Sequence, residues 1–286
     1  MSHKPIENRG LLFVLPAVFV LMFSFFLPII AVINFSVQDV FSGNNFFWAG
    51  AHWFEQILGS AVFWQTLGRT FLFSLLAIAI EVPLGLWIAL NMPRSGRAAT
   101  VFVVVAAVPL LIPWFVVGMI WKIMTDATIG PVGSLAATLT TQYDLNDPAF
   151  AWAAILVTDV WHWTGLVVLL AYAGLGAIPR AHYQAAAVDG ASRWAVFRYV
   201  ELPRLRHVLL IALLLRLTDS LMVYIEPFMI TRGGPGVATT FLSQDLIQTA
   251  MIEFDFGEAS ASALVYLLIM LTLSWTLFRI MVARDV

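Results

Sequence analysis

Charged side chains set inside apolar sequence are the first residues able to do chemistry. Glu81, Asp159, Arg216, Asp219 and Glu226 each lie in a stretch dominated by Leu, Val, Ile, Ala and Phe. A charge at the middle of a bilayer costs about 3 kcal/mol on insertion scales, so such residues face a cavity or a partner. Arg216 and Asp219 are three apart, on one face of a helix, and their spacing favours an internal ion pair over a contact to a ligand. Glu226 precedes Pro227, where a helix is expected to distort, and Tyr224 and Glu226 are placed along a path. Glu81, just before Pro83, reads as helix packing. Trp161, His162, Trp163 and Thr164 are consecutive. Aromatic faces stack on the C–H faces of sugar-like ligands, and His and Thr supply hydrogen bonds. Helix packing competes with that reading for each of the four.

Other chemistry is missing. The chain has no cysteine, hence no thiolate nucleophile, no disulfide and no Cys-ligated metal. It shows no His/Glu cluster with metal spacing and no credible Ser-His-Asp set. It also lacks the Gly-x-x-x-x-Gly-Lys-Ser/Thr pattern that cradles nucleotide phosphates. The chain therefore reads as no enzyme.

The elements that position these residues follow from composition. Of 286 residues, 61% are hydrophobic and 11% charged, with mean hydropathy +0.89. Soluble domains are nearer half apolar and a quarter charged. The fold class is an all-α membrane protein. About 20 apolar residues cross the hydrocarbon as a helix, and six such runs occur: Leu11–Ile33, Thr66–Leu90, Ala99–Ile123, Ala149–Leu175, His207–Ile230 and Ala259–Met281. None alternates with the period of a membrane barrel. The first run, 11–33, is too long for a signal peptide and lacks a small-residue cleavage site, so it reads as a retained anchor. Pro16, Pro28, Pro83, Pro109, Pro113 and Pro227 predict kinks that face protein.

Orientation follows from Lys and Arg. With the N-terminus inside, Lys4, Arg9, Arg94, Arg97, Arg180, Arg193, Arg198, Arg204, Arg206, Arg279 and Arg284 are cytoplasmic, eleven of the fifteen basic residues. The outer segments are acidic. Six transmembrane helices with N- and C-termini cytoplasmic result, with residues 1–10 as the cytoplasmic N-terminus and 176–206 as a long cytoplasmic loop. Trp48, Trp53 and Trp64 suit an interfacial aromatic belt. No internal repeat is evident, which weakens the inverted-repeat reading of secondary transporters. Even so, the membrane carboxylates keep an ion-coupled secondary transporter as the alternative.

The long loop holds "QAAAVDGASRWAVFRYVELP", Gln184 to Pro203. Ala185, Ala186 and Ala187 favour helix. Gly190 permits a turn that other residues resist. Ser192 to Val200 predicts a second short helix, stopped by Pro203. Small side chains suit a helix seated in a partner's groove, where Arg193 and Arg198 would meet acidic rims. An amphipathic helix lying on the inner leaflet fits as well.

The segment resembles the EAA motif of the membrane subunits of binding-protein-dependent ABC importers. Gln184-Ala185-Ala186, Asp189-Gly190-Ala191, Phe197 and Leu202-Pro203 carry the likeness. Gln184 stands where the family usually has Glu. "VWHWTGLVVLLAYAGLGAIPRAHYQAAAVDGAS" resembles the sugar-type branch. So does "LLLRLTDSLMVYIEPFMITRGGPGVAT", with Glu226 where that branch often has Asp and Gly233, Gly234 and Pro235 in a turn facing outside. The likeness covers roughly 66–283 and is sharpest over 161–239. It implies the type I importer permease fold, with 66–283 as the transmembrane domain. It implies a permease subunit moving a sugar, a polyol or a glycerol derivative by alternating access, in the inner (cytoplasmic) membrane. Gln184 to Pro203 would be the coupling helix. The implied partners are a second homologous permease, two ATP-binding cassette ATPases holding ATP and Mg, a periplasmic or lipid-anchored solute-binding protein, and membrane lipid. No cofactor in this chain and no nucleic acid partner are implied.

Overall fold

The computed structural model describes residues 9–41, 45–140 and 142–283. The expected cytoplasmic stretch with Lys4, and Arg284, lie outside the described residues. In chain order the elements are α1 (Arg9–Phe35), β1 (Gln38–Phe41), β2 (Asn45–Trp48), α2 (His52–Gly59), α3 (Ala61–Asn91), α4 (Gly96–Leu111), α5 (Trp114–Met124), α6 (Pro131–Leu139), α7 (Pro148–Gly176), α8 (Arg180–Val188), α9 (Arg193–Val196), a π-helical turn (Phe197–Glu201), α10 (Leu202–Ser220), α11 (Ile225–Ile230), α12 (Leu242–Met251) and α13 (Phe256–Ala283). The fold is almost wholly helical. Phe13–Phe35, Ala61–Asn91, Pro148–Gly176 and Phe256–Ile280 are long and apolar enough to cross a membrane, and α4 with α5 makes a fifth if the bent pair counts as one.

Two expected runs are broken. Ala99–Ile123 reads as one span, but it is two helices bent by 96°. The residue before a proline is pushed to extended backbone, and Ile112, before Pro113, has φ −81° and ψ 127°. His207–Ile230 likewise divides between α10 and α11. Pro227 has no N–H to offer the Val223 carbonyl four residues back, and the Ser243 hydroxyl donates to that carbonyl instead. A third correction concerns Pro203. It does not stop a helix: it is the second residue of α10, directly after the π turn, in which the Leu202 N–H donates to the Phe197 carbonyl. The helix from α9 runs through the π turn straight into α10.

The chain divides into two units. The first holds 1–61 and 246–269. In it β1 pairs antiparallel with β2, Gln38 opposite Trp48. Trp53 Nε1 donates to the Gln38 carbonyl at 3.2 Å, while Trp48 is 77% exposed, as an interfacial position allows.

The second unit is built on α7. Asp147 caps it by accepting from the Ala149 amide at 2.8 Å, with Pro148 at the first helical position. Its sides pack on α4, α5, α10 and α11. Lipid tails are as apolar as leucine, so close packing of small residues, not the hydrophobic effect, holds such helices together. A Cβ on Gly165 would fall 2.1 Å from the Ala106 carbonyl oxygen, so only glycine lets α4 close on α7. Phe73, Val117, Trp121, Ile155, Val223 and Phe241 form one buried cluster. Ala89, Ala171, Leu175, Ile178 and Leu205 form another.

Candidate functional site

Three polar constructions stand out, and the first lies among the long apolar helices. Arg216 of α10 is fully buried. Its Nε donates to Glu81 Oε2 of α3 at 2.6 Å and its Nη2 to Glu81 Oε1 at 2.9 Å. Nη2 also reaches Asp159 Oδ2 of α7 at 2.8 Å, and Nη1 reaches Asp219 Oδ2 at 2.6 Å. The expected Arg216–Asp219 pair is therefore present but belongs to a larger set. Glu81, read from the sequence as packing, is the bidentate partner. The guanidinium carbon also stands 4.7 Å over the Trp163 ring, a cation–π contact on a desolvated charge. One cation thus ties three helices.

Beside this cluster is a cavity of about 180 Å³ lined by Trp114, Asp159, Trp163, Asp219, Tyr224 and Glu226, among others. Glu226 is 5% exposed and has no counter-ion among the described residues. The four consecutive residues 161–164 do not share this space. Trp163 lines it. His162 is buried and stacked against Trp163 at 5.2 Å, with neither ring nitrogen hydrogen-bonded among the described residues. Trp161 and Thr164 line a separate apolar groove of about 570 Å³ with Ile80, Leu84 and Phe102. There Trp161 meets Trp121 edge-on, and the Thr164 hydroxyl turns back to the Val160 carbonyl at 2.5 Å.

The second construction is the 184–203 loop. α8 ends in a Schellman turn: Ala191 N–H donates to the Ala186 carbonyl at 2.9 Å and Gly190 N–H to that of Ala187 at 3.2 Å. Gly190 has φ +66°, the left-handed region that side chains resist. Ser192 then caps α9 by accepting from the Ala195 amide at 3.2 Å. Gln184, Ala185, Asp189, Gly190 and Ala191 are exposed, and Ala186 and Phe197 are half-buried. Beneath them Glu201, 1% exposed, accepts from Arg94 at 3.1 Å and from Arg193 at 2.6 Å. It also accepts from Tyr183 Oη at 3.3 Å. Arg193, read as meeting a partner's rim, is held within the chain; Arg198 stays exposed. Sequence reading missed Glu201. Its signal was an acid, the only one besides Asp189, among the five arginines of the loop.

The third is the turn after α11. Gly233 has φ +88°. Thr239 Oγ1 donates to the Gly234 carbonyl at 2.8 Å, and the Thr239 amide donates to that of Gly233 at 3.0 Å. Arg69 of α3 donates to the carbonyls of Val237 and Thr240, and Trp152 of α7 to that of Ala238. The Gly233-Gly234-Pro235 turn expected from sequence is thus tied to two long helices.

Residues 81–285 match the family described as binding-protein-dependent transport system inner membrane component. The trehalose/maltose transport system permease protein MalF of Thermococcus litoralis is 31% identical over 279 residues, covering 96% of this chain and 93% of that one. The sulfoquinovosyl glycerol transport system permease protein SmoG of Agrobacterium fabrum is 32% identical over 232 residues, covering 78% and 73%. In fold, the chain is similar to the crystal structure of a bacterial ABC transporter involved in the import of the acidic polysaccharide alginate. The TM-score is 0.82 at 19% identity, over 96% of both chains.

Proposed function

From the premise that this chain belongs to the binding-protein-dependent transport system inner membrane component family, we propose how its parts serve an ABC importer. The chain is a multi-pass permease subunit of an ATP-driven importer. Its cargo is a carbohydrate-like solute: a sugar, a polyol or a glycerol derivative. Six crossings are α1, α3, the bent pair α4–α5, α7, α10 with α11, and α13, with both ends in the cytoplasm. Residues 11–33 are an anchor, and 66–283 are the transmembrane domain around a coupling loop at 176–206.

One observation carries the coupling assignment. The α8–α9 hairpin exposes Gln184, Ala185 and residues 187–191 to solvent while the buried Glu201 pins it from below. Such a knob, firm at its base and bare at its tip, suits a groove in a separate ATPase. Two ATPases, holding ATP and Mg, would close on ATP binding and draw the coupling helices of this chain and a second permease together. The spans then switch from inward- to outward-facing, and a solute-binding protein delivers its cargo. Trp163, Tyr224 and Glu226 line this chain's share of the path, and the Gly233-Gly234-Pro235 turn faces the binding protein.

The test is purification from the native membrane in mild detergent, with mass spectrometry of what accompanies the chain. A P-loop ATPase and a second six-span permease are expected. A chain that emerges alone, or only with copies of itself, overturns the reading.

A further inference from the structure

The cavity beside Arg216 has walls of one charge sign. Asp159, Asp219 and Glu226 present carboxyl groups to it, Trp114, Trp163 and Tyr224 present rings, and no Lys or Arg is among its lining residues. Arg216, bonded to two of these carboxyl groups, does not itself line the cavity. All three of its side-chain nitrogens are engaged by Glu81, Asp159 and Asp219, and its open face is covered by Trp163. One guanidinium against four carboxyl groups leaves the wall negative. Each proton taken up by a carboxyl removes one negative charge from the wall without adding a cationic side chain to its lining.

The spacing argues against a bare cation as occupant. No group of three His, Asp or Glu side chains among the described residues stands close enough together to hold a metal ion. Carboxyl groups spread around aromatic rings suit an organic solute instead, with hydroxyl or ammonium donors for the oxygens and C–H faces for the rings. The volume of about 180 Å³ lies below the range of about 300–1,000 Å³ typical of pockets for drug-sized ligands, so the occupant is small.

We propose that this cavity selects solutes by charge, admitting uncharged or amine-bearing polyhydroxyl molecules and rejecting carboxylated or phosphorylated ones. The inference rests on the cavity lying on the solute path. Like charges forced together inside a low-dielectric wall repel far more than in water, and an anion here would find no cationic partner among the lining residues.

The probes are glucose, glucosamine and glucuronate, three rings of one size that differ in charge. Their binding to the complete purified transporter, without added binding protein, is read by saturation-transfer difference NMR. Glucosamine is expected to bind at least as tightly as glucose, and glucuronate at least tenfold more weakly. Glu226→Gln, which removes a charge without breaking an ion pair, should shrink that gap several-fold. Met222→Lys is a second variant, because Met222 lines the same cavity and is 63% exposed; its assembly is checked by co-elution of the complete transporter in size exclusion. It should shrink the gap or reverse it. Glucuronate within twofold of glucose in the unmodified transporter, no binding of any probe, or an unchanged gap in both variants overturns the proposal. Failure of the importer reading shows separately, as a missing ATPase in the purification.

Discussion

Arg216 and Glu201 are ionic hubs of opposite sign on the same helical run. At Arg216 one guanidinium is enclosed by three carboxylates, two of them buried with it. At Glu201 one buried carboxylate is held by two guanidinium groups whose side chains remain 42% and 57% exposed. Removing the cation from the first strands several charges where water does not reach, whereas removing the acid from the second lets two arginines turn back to solvent. Burial of the partners, not the number of bonds, separates a fixed strut from a releasable clasp.

The largest test of that contrast is Arg216→Met. Breaking a buried set by removing one partner costs about 3–5 kcal/mol, so folded transporter should all but vanish from size-exclusion profiles of detergent extracts. A wild-type yield would remove Arg216 from the framework. Glu201→Gln should be milder, about 1–3 kcal/mol for imperfectly satisfied buried groups. Insertion should survive while amide exchange over 180–196 speeds up about tenfold. Unchanged exchange there would mean that the hairpin is held by packing alone. Gly190→Ala forces a side chain into the left-handed region for about 1–2 kcal/mol. Solute moved per ATP should fall several-fold with assembly intact, and full coupling would end the docking assignment. Salt gives the smallest effect. Raising it from 0.1 to 1 M shortens the screening length from about 10 to about 3 Å. Exchange in the Glu201 region should rise slightly and that around Arg216 not at all.

Much of this was legible in the sequence, and the limits are physical. Hydrophobic runs found α1, α3, α7 and α13 because length and apolarity are local properties. The breaks at Ile112 and after Ser220 were signposted by Pro113 and Pro227, but a proline bends or breaks a span according to what satisfies the freed carbonyl. For Val223 that group is Ser243, twenty residues away. Arg216 and Asp219 were readable at i, i+3. Glu81 was not, since 135 residues separate it from Arg216. Trp161 to Thr164 read as one cluster, yet successive helical residues are turned about 100° from one another, so no single cavity takes all four. Glu201 sat in a polar loop where an acid ordinarily faces water, and only the convergence of Arg94, Tyr183 and Arg193 makes it buried.

The π turn at Phe197–Glu201 gives the chain a mechanical property. α9, the π turn and α10 form one uninterrupted rod. Glu201 ends its π turn and Arg216 lies about 22 Å further along the axis, at 1.5 Å per residue. A rod of this length transmits a push or a twist with little loss. The wider π turn is the one place where its winding changes, a built-in torsional spring between the part that water reaches and the part that it does not.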